Sequence, residues 1–257
     1  MSIITSKDRY AVDKDILPIF IINGKKPFNI HSFCGTGFII SPNLFITCWH
    51  CVKGEIPLYH KYAAMIESNS GKFKVSYIYN IEQDQNGSDI SISNIQHDPT
   101  LGLMISEKDS ALGVDVWTFG YPLTDKFNDS DGRNEFVLNG RFLQGYITRA
   151  FIYESSIYGQ VPSYELDMPV PDGLSGAPLI RSGSKEVIGV IYGNNDVDTI
   201  DKFSSVDPET GKREPEIVKI VSFGLAHYTD TLLNVKCKAT KNQTLKEFLL
   251  KVKHEIG

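Results

Sequence analysis

Three passages of this chain hold residue types that can do chemistry together. The first is Leu44-Phe45-Ile46-Thr47-Cys48-Trp49-His50-Cys51, an apolar run that ends at His50. An imidazole titrates near neutrality, so a ring fixed at a strand end suits general-base work. The second is Asp89-Ile90-Ser91-Ile92, an acid opening an alternating strand. The third is Asp172-Gly173-Leu174-Ser175-Gly176-Ala177-Pro178-Leu179, a serine between glycines in a tight turn. Such glycines let backbone N–H groups converge on one point, as an oxyanion site requires. The G-x-S-x-G nucleophile elbow continues into a helix. Here Pro178 and Leu179-Ile180 follow instead, which predicts a strand. Each passage alone also has a plain reading: an ordinary histidine, a turn aspartate, a glycine-rich turn.

Groups so far apart in sequence need a rigid scaffold, and the chain is written in strand grammar. Runs rich in Val, Ile, Phe and Tyr lie between Gly, Pro, Asn, Asp and Ser at 37–40, 44–47, 75–81, 90–95, 114–119, 142–153, 164–168, 187–192 and 217–226. Val187-Ile188-Gly189-Val190-Ile191 does not alternate, which predicts cover on both faces. Leu245, Phe248, Leu249 and Val252 sit at helical spacing, and Thr244 with Glu247 makes a capping box, predicting a helix over 244–256. A weaker helical signal falls at 61–67. Two polar stretches, 124–135 and 194–216, read as loops, and loops of this length are uncommon unless functional or mobile. Many short strands and one terminal helix predict an all-β sandwich or barrel pair.

The 257 residues carry 26 Lys and Arg against 31 Asp and Glu, a formal net charge of −5, with 41% hydrophobic residues. A chain of this length buries a full core without metals or disulfides. Its mild acidity argues against a nucleic-acid surface and against an anionic membrane. The N-terminus lacks the ordered signature of a signal peptide, and no run approaches the ~20 apolar residues of a spanning helix. A cytoplasmic chain is expected, with no cofactor. Cys34, Cys48, Cys51 and Cys237 are too few for a disulfide scaffold. His31-x2-Cys34 with Cys48-x2-Cys51 has zinc-ribbon-like spacing. That site would consume the cysteines and leave His50 without a role, so no metal is expected. A redox Cys48-x-x-Cys51 pair lacks the long helix that should follow it.

Together, and in this order, the passages resemble the trypsin-like (chymotrypsin-fold) serine peptidases. Ile46-Thr47-Cys48-Trp49-His50-Cys51 is similar to the family's hydrophobic-Thr-Ala-Ala-His-Cys motif, and Asp89-Ile90-Ser91-Ile92 to its Asp-hydrophobic-Ala-hydrophobic motif. Gly173-Leu174-Ser175-Gly176-Ala177-Pro178 resembles its Gly-x-Ser-Gly-x-Pro. Residues 112–122 look like the strand opening the second barrel in the HtrA-type and viral-type branches. Residues 187–193 resemble the strand walling the specificity pocket, and Phe223-Gly224-Leu225-Ala226 the strand behind it.

The resemblance implies two six-stranded antiparallel β-barrels and a C-terminal α-helix. Residues 1–112 would form the barrel with His50 and Asp89, and residues 113–257 the barrel with Ser175 and the helix. It implies a serine endopeptidase working through an acyl-enzyme. Ser175 would attack, His50 would carry the proton, and Asp89 would hold the imidazole. The N–H groups of Gly173 and Ser175 would bind the oxyanion. Pro169, Asp172, Tyr192, Gly193, Asn194 and His227 fall at the substrate pocket.

Several positions depart from the family. Leu174 replaces the aspartate that pairs with a new N-terminus in digestive members, so activity independent of N-terminal trimming is expected. Pro169 and Ile191 stand where other members select basic or glutamate side chains, so neither specificity is implied. Tyr192 replaces the serine that supports the triad acid, leaving open what orients Asp89. Cys34 and Cys51 fall where secreted members close the histidine loop with a disulfide; free thiols close in space are expected here. Cys48 and Cys237 read as small buried hydrophobes. Expected partners are a protein or peptide substrate and a regulatory protein acting through 194–216, with no nucleic acid and no membrane. The alternative is a trypsin fold used as a non-catalytic binding module. Such proteins usually lose a triad member, and all three are present here.

Overall fold

The computed structural model describes residues 3–5, 14–24, 29–41, 43–67, 73–96, 103–122, 124–128, 134–202, 205–206, 210–214 and 217–256. Six strands, β1 (Ile16–Asn23), β2 (Ile30–Ser41), β3 (Leu44–Cys48), β4 (His60–Glu67), β5 (Phe73–Tyr79) and β6 (Ile90–Ile95), close an antiparallel barrel in the order β1-β2-β3-β6-β5-β4. Its apolar cluster includes Ile16, Phe38, Phe45, Ile46, Ile90 and Ile92, all fully buried. Pro18 is tolerated within β1 for a specific reason. It faces Thr36, whose N–H points away to Ser175, so this is a non-hydrogen-bonded pair. The donor that Pro18 lacks would point towards β4, whose ladder with β1 starts only at Ile19.

A second ring is formed by β7 (Asp115–Gly120), β8 (Arg141–Ser155), β9 (Gly159–Leu166), β10 (Pro178–Arg181), β11 (Glu186–Lys202) and β12 (Ile217–Tyr228). Its order is β7-β8-β9-β12-β11-β10, and β10 closes it by pairing with both β11 and β7. Met104–Ile105 joins β11 in parallel. Val187, Ile188, Val190 and Ile191 are fully buried, as their unbroken apolar run predicts.

Three local expectations are corrected. Residues 61–67 are not helical but belong to β4. Tyr62, Ala63, Ala64 and Met65 are buried there between β1 and β5, and barrel closure overrides a weak local preference. Residues 194–216 are not one loop. The β11–β12 ladder runs on from Gly193 opposite Leu225 to Lys202 opposite Ile217, and Ser205–Val206 pairs with Arg213–Glu214 beyond it. Residues 196–200 and 218–220 are exposed, so no burial pattern marks this arm in the sequence. Residues 124–135 contain the strand Asp125–Asn128, paired with Asn134–Leu138, on which Ile3–Thr5 adds in parallel; 129–133 lie outside the described residues. Phe136 and Leu138 pack onto Phe20, Ile22 and Met65 of the first barrel.

After β12 the chain returns to the first barrel. Gln85 N–H donates to Lys236 O at 3.1 Å, Asn86 Nδ2 to Asn234 O at 3.2 Å, and Cys237 Sγ to Ile92 O at 3.3 Å. The helix Leu245–Ile256 opens with the expected capping box: Thr244 N–H donates to Glu247 Oε2 at 2.9 Å and Glu247 N–H to Thr244 Oγ1 at 3.2 Å. Among the described residues no helix is long and apolar enough to cross a membrane.

Candidate active site

Where β3 ends, a single helical turn, Trp49–Val52, begins and carries His50. Asp89 enters just before β6. Its Oδ2 lies 2.6 Å from His50 Nδ1, and its Oδ1 accepts the His50 N–H at 2.9 Å. Trp49 N–H donates to the Asp89 carbonyl at 3.1 Å. The carboxylate is therefore gripped at both oxygens and is 2% exposed. The turn beneath it is built by Asp84, which accepts from Lys236 N–H at 3.0 Å, from Ser88 Oγ at 2.8 Å and, through its carbonyl, from Gly87 N–H at 2.8 Å. The sequence reading missed Asp84, although Asp84-Gln85-Asn86-Gly87 carries a turn signature.

Burial pushes the Asp89 carboxyl up, but its hydrogen bonds with His50 overcome this and hold it below the usual range. Burial draws His50 down, yet the hydrogen bond to Asp89 and the neighbouring Cys51 outweigh it and raise its pKa above the usual imidazole value. The Asp89 carboxylate thus stabilises the imidazolium that His50 becomes on taking a proton.

Ser175 sits in the turn ahead of β10. Gly173 and Gly176 have φ of +97° and +88°, open to glycine and strained for other residues. A Cβ on Gly176 would also run into Thr36 O and Thr47 Oγ1. Gly176 N–H donates to Ile191 O at 2.8 Å and Ala177 N–H to Leu174 O at 2.9 Å. Among the described residues the N–H groups of Gly173 and Ser175 have no protein acceptor, which leaves them able to meet an oxyanion. The turn is held from the first barrel by Thr36. Its N–H donates to Ser175 O at 3.0 Å and its Oγ1 to Gly173 O at 2.7 Å, while Tyr121 N–H donates to that Oγ1 at 3.1 Å. Thr47, from the histidine passage, donates to Thr36 O at 2.7 Å. Cys51 Sγ reaches Ser175 O at 3.5 Å, so the histidine and serine passages meet at the junction of the barrels. Ser175 Oγ itself donates to the Tyr192 carbonyl at 3.4 Å.

Tyr192 stands at a bulge, because Ile191 pairs with Ala226 while Gly193 already pairs with Leu225. Ser163 Oγ gives its proton to Val161 O at 2.9 Å, so the 2.6 Å contact with Tyr192 is donated by the tyrosine hydroxyl. Asn194 clamps the backbone of Val170 in both directions, each bond 2.7 Å, and so braces the wall rather than presenting a free amide. Pro169 and Asp172 are exposed, and Gly193 faces open space. Leu174 is fully buried within the second apolar cluster.

His227 is corrected by the structure. It is fully buried and stacks on Tyr192 at 4.4 Å, closed to solvent rather than open in the pocket. Burial lowers its pKa to about 4, so it is neutral. Among the described residues neither of its buried ring nitrogens has a hydrogen-bond partner. Cys48, Asp89 and His227 each bring a potential ligand atom within 4.8 Å of the other two. Tyr158, in the β8–β9 turn, is a further residue that no motif announced. Its hydroxyl is buried beside the Asp89 carboxylate, and burial, then that carboxylate, push its pKa up. A cavity of about 300 Å³ opens here between Asp84, Asp89, Tyr158, Gln160 and Asp230. All four cysteines are free, including Cys34 and Cys51. Burial, then Cys51, raise the Cys34 thiol to about 12.

Residues 35–190 match the sequence family described as the trypsin-like peptidase domain. No curated protein sequence matches the chain. Among solved structures, the inactive form of the Rv3671c protease of M. tuberculosis is similar at 22% identity and a TM-score of 0.53, with 85% of each chain covered. The MamO protease domain from Magnetospirillum magneticum is similar at 14% identity and a TM-score of 0.56, covering 86% of this chain and 95% of that one. Deg5 is similar at 14% identity and a TM-score of 0.51, covering 70% of this chain and 80% of that one. At such identities the likeness is one of fold. The family match takes in His50, Asp89 and the Ser175 turn and spans more than half of the sequence: the chain belongs to the trypsin-like peptidase family.

Proposed function

We propose that the protein is a serine endopeptidase acting on protein or peptide substrates. One observation carries the reading: the His50–Asp89 pair, 2.6 Å apart, meets at the barrel junction a serine turn with two unpaired N–H groups. Ser175 Oγ attacks the scissile carbonyl while His50 Nε2 takes its proton. Asp89 fixes the Nδ1–H tautomer and stabilises the imidazolium. The Gly173 and Ser175 N–H groups hold the oxyanion, each such donor contributing about 3–4 kcal/mol in the transition state. His50 returns the proton to the leaving amine, an acyl-enzyme remains, and water releases it by the same steps. Hydrogen bonds of this kind are often long before substrate binds.

A fluorophosphonate probe is expected to label Ser175 in the wild-type chain. Ser175→Ala is expected to lose both labelling and cleavage of a proteome-derived peptide library, with an unchanged circular dichroism spectrum. A folded wild-type chain that neither takes the probe nor cuts the library is a peptide-binding module instead. The hydrogen bond of Ser175 to Tyr192, in place of one to His50, is the feature that favours this second reading.

A further inference from the structure

Behind Asp89 the fold encloses two groups that this reaction does not use. His227 of β12 is fully buried, and among the described residues both its nitrogens are unpaired. A buried polar group without a partner costs about 1–3 kcal/mol, so its place there needs an account. Cys48, the last residue of β3, is equally enclosed, its Sγ 3.2 Å from the Ile191 carbonyl. With a carboxylate oxygen of Asp89 they form a three-donor group, each donor within 4.8 Å of the others. The donors come from both barrels. Tetrahedral zinc at ~2.0–2.3 Å from its ligands sets neighbouring ligand atoms roughly 3.4–3.8 Å apart, so a contraction of about 1 Å forms the site.

We propose that Cys48, Asp89 and His227 form a buried inhibitory site for a borderline-soft divalent cation of the zinc class. The charges suit the burial: a thiolate, a carboxylate and a neutral imidazole balance a dication, where an unbalanced charge is expensive. The ligand set, sulfur with imidazole and carboxylate, is one zinc accepts and calcium or magnesium does not. On binding, the Cys48 thiol gives its proton to solvent and a metal–sulfur bond forms. The group shares only Cys48 with the His31-Cys34-Cys48-Cys51 spacing seen in the sequence. Metal on Asp89 withdraws electron density from the carboxylate that steadies His50, so the loaded protein is turned down as a peptidase. The inhibition rests on the proposed role of Asp89; the binding does not.

The test titrates metal-stripped wild type and Ser175→Ala with Co²⁺, then Zn²⁺. One Co²⁺ per chain is expected in both, with the near-ultraviolet thiolate band and the strong visible bands of tetrahedral cobalt, displaced by one Zn²⁺. Cys48→Ser, close in size, is expected to lose the thiolate band and to bind at least ~100-fold more weakly, beyond the range of an outer-sphere change. His227→Gln is expected to weaken binding likewise, with folding of each variant checked by thermal melts. Should Cys48→Ser not fold, Cys48→Ala carries the same arm. Zn²⁺ is expected to suppress wild-type cleavage reversibly, with recovery on adding a chelator. Absence of the thiolate band, or unchanged affinity in folded Cys48→Ser or His227→Gln, overturns the site. A thiolate band in a chain that cleaves nothing at any metal level leaves the site standing and removes the peptidase reading.

Discussion

Thr36 does more for the site than its type suggests. Its hydroxyl joins Gly173 to Tyr121, and its N–H and carbonyl engage Ser175 and Thr47. Thr36→Val keeps the shape and removes the hydroxyl, taking its donor from the half-buried Gly173 carbonyl and its Oγ1 acceptor from the Tyr121 N–H. A stability loss of about 1–3 kcal/mol in urea titration is expected. The Gly173 carbonyl is also released, so kcat is expected to fall about 10-fold or more with little change in KM, a part of the 10²–10³ that loss of an oxyanion donor costs. His50, Asp89 and Ser175 are legible as candidates because each sits in a local pattern with a chemical meaning. Thr36, Asp84, Tyr158 and the true setting of His227 are not. Their roles arise from contacts across the fold, and a side chain's burial leaves no mark in its neighbours in sequence.

At the scale of elements, the legible parts are those in which one face is buried. The capping box of the terminal helix and the doubly covered run 187–191 follow from the sequence alone. The β11–β12 arm beyond Asn195 was illegible because both its faces meet solvent; backbone pairing holds it, with hydrogen bonds from Ser222 Oγ to Asp196 Oδ1 at 2.6 Å and from Thr199 Oγ1 to Lys219 O at 2.9 Å but no apolar face. The same fact makes it expendable to the fold. Replacing residues 199–219 by Asn-Gly, between the cross-strand partners Asp198 and Ile220, closes a short hairpin. The shortened chain is expected to melt within about 3 °C of wild type and still take a fluorophosphonate at Ser175. Its preferences over a peptide library are expected to shift if the arm governs access. A large fall in melting temperature would show that the arm supports the second barrel.

At the scale of the molecule, the candidate site lies where the two barrels meet, and the tail after β12 runs back to hydrogen-bond the first barrel. Asp84 is where this is concentrated, since the carboxylate under the Asp89 turn takes its hydrogen bond from Lys236 N–H. Asp84→Ala removes that bond and the one from Ser88 Oγ. A loss of about 2–4 kcal/mol is expected, at the upper end for a single change because charged acceptors bind their donors more strongly. Peptide cleavage is expected to drop at least ~10-fold in protein still folded by circular dichroism. Retention of full activity would mean that Asp89 is positioned by β6 and His50 alone.

That return of the tail also sets an order in time. A chain leaving the ribosome presents His50 and Asp89 first and Ser175 later, yet the turn beneath Asp89 is unfinished until residue 236 arrives. A nascent chain therefore holds all three side chains well before it holds the geometry that sets them. The path of the backbone itself makes the candidate site one of the last parts of the fold to be completed.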